Sequence, residues 1–138
     1  LNYCLGVQAE FFTAGDLHDV YRGAVIEHIV FQEFRATLSE NHPLFWVRQK
    51  RQSSAELDAL LVVDGTVSPV EIKSGKTGTL RSLHQFIERS DCTFAVRLYT
   101  GRLKLESTRT PAGKAFDLLN LPVYLTAGIQ EYIRHYRR

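Results

Sequence analysis

The chain has no methionine, only two cysteines and four prolines, and no apolar run long enough to cross a bilayer. Cys4 and Cys92 are too few for a disulfide framework, and no CxxC spacing marks a zinc site. The longest uninterrupted apolar stretch, Ala59 to Val63, falls far short of the roughly 20 residues a membrane helix needs, so no membrane partner is expected. Nine glycines among 138 residues exclude a collagen-like or low-complexity chain. With no signal peptide and little cysteine, the expected setting is reduced and cytoplasmic. The opening Leu1 and the missing methionine make a domain cut from a longer polypeptide the natural expectation.

What is present is ordinary globular material: 44% hydrophobic and 23% charged residues, enough for one domain over 1–138 with a real core. The net charge of +2 is unevenly spread. Residues 1–40 carry two bases, Arg22 and Arg35, against six acids, whereas residues 41–138 carry fifteen bases against nine acids. The bases gather in Arg48 to Arg51, Lys73 to Arg81, Arg97 to Lys114 and the closing Arg134, Arg137 and Arg138. Such asymmetry points to an anionic partner, nucleic acid first, against the plainer reading of a solvated surface.

Periodicity predicts a helix from about Arg22 to Leu38, with Ala24, Val30, Phe31, Phe34 and Leu38 on one stripe. Short strands follow at Leu44–Val47, Leu57–Val63 and Val67–Lys73, then a helix to about Arg89 with Thr79 as N-cap. Thr93–Tyr99 reads as a further strand, Leu103–Glu106 as a weaker one, and Ala127–Tyr136 as a closing helix. The order helix, three strands, helix, strand predicts an α/β fold with a mixed central sheet flanked by helices.

Chemistry concentrates on one hairpin. Asp64-Gly65 between two apolar runs is a strong two-residue turn signal. With Val63 opposite Thr66, Asp58 falls opposite Glu71 and Glu56 opposite Lys73. Strand alternation then puts Glu71 and Lys73 on one face. Directly opposed carboxylates repel, so a lysine or a divalent cation should compensate them. Mg²⁺ commonly takes one or two carboxylates with water and substrate phosphate. A solvated surface ladder is the alternative. Glu27 bears on the choice: it projects onto the centre of the first helix's apolar stripe, where an acid stands only if paired, coordinating or reaching out to solvent from the stripe's edge. Lys50, Arg51, Lys76 and Arg81 lie in the segments leading into and out of the two motif strands and form a candidate DNA-binding rim. His84 reads as a hydrogen-bonded core residue and Trp46 as sheet packing. Gly75-Lys76-Thr77-Gly78 lacks the GxxxxGK[ST] spacing of a nucleotide loop.

Glu56-Leu57-Asp58 followed by Val70-Glu71-Ile72-Lys73-Ser74-Gly75 resembles the split acidic motif of the PD-(D/E)XK, or restriction-endonuclease-like, nuclease superfamily. Tyr21 to Glu27, Phe31-Gln32-Glu33-Phe34 and Leu119 to Tyr124 are similar, more closely, to the uncharacterised nuclease-like domain at the C-terminus of bacterial and archaeal AAA-type ATPases. The likeness runs from about Leu17 to Leu125. It implies an αβββαβ core and a Mg²⁺- or Mn²⁺-dependent nuclease acting on DNA, with the N-terminal ATPase domain of the same polypeptide as a partner. It further implies that Asp58, Glu71 and the backbone carbonyl of Ile72 hold the metal, that Lys73 positions the attacking water, and that Glu27 stands at the metal's edge. Leu57 takes the place of the motif's proline. Gln85 is a weaker candidate, from a helix glutamine in some superfamily members. The alternative is a catalytically silent module that regulates the ATPase or docks DNA or protein.

Overall fold

The computed structural model describes residues 15–38, 43–48, 55–74 and 79–137. A 23-residue helix, α1 (Gly15–Thr37), leads into three strands, β1 (Leu44–Arg48), β2 (Ala55–Val63) and β3 (Thr66–Ile72). Helix α2 (Arg81–Arg89) then crosses to β4 (Phe94–Tyr99), followed by β5 (Lys104–Arg109), β6 (Ala115–Pro122), a 3-10 turn over Val123–Gly128 and α3 (Ile129–Tyr136). One six-stranded sheet runs in the order β1-β2-β3-β4-β6-β5. β1, β2 and β3 pair antiparallel, β4 joins β3 in parallel, β6 joins β4 in parallel, and β5 closes the edge antiparallel to β6. The expected α/β class with a mixed sheet is what the chain forms.

Two cores sit on opposite faces of this sheet. On one, Val30 and Phe34 of α1, Leu38 just beyond its end, and Ile129 and Ile133 of α3 pack on Ala59, Val70, Ile72, Val96, Leu98, Leu119 and Leu121. On the other, Leu83, Phe86 and Ile87 of α2 pack on Leu57, Ala95, Phe116 and Leu118. Trp46 supports the second core, its ring edge-on to Phe86 at 5.4 Å between centroids.

The Asp64-Gly65 turn forms as its sequence requires. Both residues have positive φ, 52° and 74°, which matches a type I′ turn and the right-handed twist of the flanking strands. The turn is also clasped from far along the chain. Arg134 pairs with Asp64 at 3.2 Å, and Arg137 donates to the carbonyls of Val63 (2.7 Å) and Thr66 (3.3 Å) and to Ser68 Oγ (3.0 Å). Hydrogen bonds from a charged donor contribute roughly 1.5–3 kcal/mol. Arg137→Ala should therefore destabilise the domain by about 2 kcal/mol and lower its melting temperature by several degrees, read by thermal unfolding.

Several expectations change. Ala24 is exposed rather than on the buried stripe, and Thr79 does not cap α2, whose N-cap is Leu80 without a side-chain bond. His84 is half-buried, edge-on to Phe116 at 5.9 Å, not a core residue. β6 is the strand that periodicity did not reveal: Asp117 and Asn120 interrupt its apolar pattern, while its place between β4 and β5 buries Leu118 through Pro122. Among the described residues no helix is long and apolar enough to cross a membrane.

Candidate active site

The predicted hairpin register is the observed one from Val63↔Thr66 to Ala59↔Val70, and the ladder stops there. The reason lies across β2. Leu44 opposes Leu60 but Trp46 opposes Leu57, so three steps of β2 face two of β1. The extra residue is a bulge, the feature that re-aims side chains beside functional sites. It also explains why Leu57 packs on the α2 side while Ala59 packs on the α1 side. The expected ladder pairs Asp58–Glu71 and Glu56–Lys73 are therefore not formed, and Glu56 instead faces Val47 of β1.

Released from the ladder, Asp58 takes up a backbone bond with its side chain. Its Oδ2 accepts from the Ile72 amide at 2.6 Å, tying the bulge to the end of β3. The N–H and C=O of one strand residue point to the same edge, so the Ile72 carbonyl lies on the Asp58 side as well. The next amide, Lys73 N–H, donates to Leu98 of β4 at 2.8 Å and fixes the Lys73 backbone. Lys73 Nζ meets Glu71 Oε1 at 2.6 Å. Glu71 itself is 4% exposed, and its second oxygen, Oε2, is buried with no hydrogen-bond partner among the described residues.

Charge accumulates faster than it is compensated. Burial pushes the Glu71 carboxyl up to about 7 against the bond from Lys73, and the charges of Asp58 and Glu27 raise it further. Asp58 is raised chiefly by burial, with the Ile72 amide and Lys73 acting the other way. Glu27 is raised by desolvation and then by Asp58, with Lys73 opposing. Glu27 is thus electrostatically joined to the pair, yet it is solvent-exposed and does not sit in the apolar stripe. At Gly23 helix α1 passes the end of β3, with room for a methyl group 3.9 Å from Ser74 Oγ, while the core contacts begin at Ile26. Glu27 rims the site instead of being buried in it.

Among the described residues no three His, Cys, Asp or Glu side chains form a ready-made metal cage. What the strand ends offer is two carboxylates, each with one oxygen already engaged, beside a lysine and a backbone carbonyl. That donor set suits a hard cation that keeps most of its water, and the orphaned Glu71 Oε2 is a buried acceptor for which such an ion would be a partner.

Of the expected DNA rim, Lys50, Arg51 and Lys76 lie outside the described residues, as do Cys4 and the Gly75–Gly78 loop. Arg81 is exposed at the start of α2 and lines a groove between α2 and the sheet with His84, Gln85, Arg97 and Glu106. Arg97 and Asn120 escaped the sequence reading. Their nearness to Glu71 depends on the parallel register of β3, β4 and β6, which no local pattern encodes.

Comparison with protein-family models matches residues 22–123 to a domain of unknown function, DUF4143. A search of the curated proteins finds no match.

Proposed function

The chain belongs to the DUF4143 family, and on that premise we propose that it is a metal-dependent nuclease-like domain of the PD-(D/E)XK type, acting on DNA phosphodiester bonds beside an AAA-type ATPase domain of the same polypeptide. The observation that carries this reading is the buried Glu71 Oε2, unpartnered among the described residues, set in a pair of acids with Lys73 2.6 Å from its other oxygen. The segment α1-β1-β2-β3-α2-β4, with β4 parallel to β3, agrees with the αβββαβ order of a restriction-endonuclease-like core.

Asp58 and Glu71 would hold the cation, with the Ile72 carbonyl on the same edge. Bound there, the ion supplies Lewis-acid polarisation of a phosphoryl oxygen. Lys73 favours the ionised form of Glu71 in opposition to its burial and presents a compact positive charge to the scissile phosphate. Glu27, open to water at the rim, accepts a hydrogen bond from the entering water and orients it. Ile72 and Leu98 belong to the core on the α1 face of the sheet and anchor the strand ends that carry the site.

The test is a Mg²⁺ and Mn²⁺ titration against branched, single-stranded and duplex DNA. Wild type should cleave at least one of these substrates in a metal-dependent way, and Asp58→Asn should cleave none. DNA binding without cleavage at any metal concentration would leave the silent docking module as the function.

A further inference from the structure

The two edges of the sheet are finished differently. β5 carries Lys104, Glu106 and Arg109, charges that discourage another chain from pairing there. β1, at the opposite edge, reads Leu44-Phe45-Trp46-Val47-Arg48, and its Leu44, Phe45 and Val47 are 54%, 62% and 51% exposed. Apolar side chains left open on an edge strand are a liability unless something uses them.

Phe45 stands beside the acids. Leu44 opposes Leu60 and Trp46 opposes Leu57, so Phe45 faces the bulged stretch of β2 that holds Asp58, one strand spacing of about 4.8 Å away. Trp46 turns to Phe86 on the α2 side, while Phe45 turns to α1. There its ring lies 5.7 Å from that of Phe31, tilted by 32°. Phe31 packs against the core and follows Glu27 by four residues, which puts both on one face of α1. The same helix face therefore carries the acid that rims the site and backs the aromatic ring next to it. With Phe31 behind it and most of its surface open, the Phe45 ring is a fixed ledge.

We infer that Phe45 is a stacking ledge for an unpaired nucleobase, so that the site takes single-stranded DNA, or a frayed duplex end, in preference to intact duplex. The inference rests on the nuclease reading and names its substrate class. Every base has a π-face, so an aromatic ring holds one without reading sequence. A base inside an intact duplex has both faces covered by its neighbours and cannot be offered to the ledge. Charge agrees with this occupant: the strand runs directly into Arg48-Gln49-Lys50-Arg51, three cations in four residues, which complement a phosphodiester backbone. Area agrees as well. Three half-exposed side chains fall well short of the roughly 800 Å² per partner that a stable protein interface buries, whereas one flat ring matches one base.

The experiment is anisotropy of a labelled single strand of mixed sequence and of its blunt duplex, titrated with the full chain in EDTA over a salt series. Wild type should bind the single strand more tightly. Phe45→Leu keeps an apolar side chain but loses the flat face, and should weaken single-strand binding about tenfold while changing duplex binding less than twofold. Its log–log salt slope should stay that of wild type, because no phosphate contact is lost. Phe45→Trp should bind at least as tightly as wild type. A 2-aminopurine base in the single strand should be quenched by wild type and by Phe45→Trp, and not by Phe45→Leu. Wild-type affinity in Phe45→Leu overturns the inference, as does a wild type that prefers duplex or binds neither probe. A concentration-dependent dimer that Phe45→Leu abolishes, with DNA binding unchanged, assigns the edge to a second copy of the chain and also overturns it. Phe45-dependent binding in a protein that cleaves nothing sinks the nuclease reading alone. Cleavage by wild type with Phe45-independent binding sinks this inference alone.

Discussion

Asp58→Asn should lose about 10²–10³-fold of metal-dependent cleavage, the scale seen when one preorganised charge-stabilising group is removed, while the protein stays folded. Asparagine keeps an oxygen that can accept from the Ile72 amide, so the bulge remains tied to β3. Alanine would leave that N–H without its acceptor at a cost of roughly 1–3 kcal/mol, which makes Asp58→Ala the poorer control. Removing one of the mutually repelling carboxylates should also leave the metal-free melting temperature unchanged or higher. Added Mg²⁺ should raise the melting temperature of wild type and not of the variant, because an ion that binds only the folded state stabilises it by mass action. Equal shifts in both proteins would mean that the ion binds elsewhere.

Glu71→Gln should abolish most of the domain's pH-dependent stability near neutrality. Folded Glu71 titrates at about 7, against 4.5 for an unburied glutamate. Between those values the folded chain holds a proton that the unfolded chain has lost, so the associated stability is complete below pH 4.5 and disappears as pH rises through 7. At about 1.4 kcal/mol per unit, wild type should weaken by roughly 2–3 kcal/mol from pH 4.5 to 8 in EDTA. Asp58 and Glu27 are raised too and add slope of the same sign. His84, held below the ordinary imidazole value by burial, contributes the opposite slope on the acid side. The readout is therefore wild type minus variant, which removes His84: the difference should grow in favour of glutamine from pH 5 to about 7 and level off above it. A flat difference in denaturant titrations would show that Glu71 is ionised at no cost.

Much of the site was legible because its signals are local. Asp64-Gly65 sets a turn, the turn sets a register, and alternation puts Glu71 and Lys73 on one face. The register failed from Asp58 back to Glu56, where the extra residue is dictated by β1 pairing along the other edge of β2, a contact no hairpin rule contains. Glu27 was legible as an outlier on its stripe but misplaced in depth. A helical projection gives angle, not whether that turn of the helix lies over the core or past the end of the sheet. β6 and Arg97 were the least legible, because the neighbours of a central parallel strand are chosen by the crossover through α2 rather than by adjacent sequence.

The clasp on the Asp64-Gly65 turn also orders events in time. Arg134 and Arg137 stand some seventy residues downstream of the groups they hold. During synthesis the strands bearing Asp58 and Glu71 are therefore complete long before the arginines that secure their turn emerge. Contacts of such separation are slow to form and close late. The hairpin turn thus gains its clasp only as α3 docks, so the strands bearing the acid pair pass through translation with their turn unsecured.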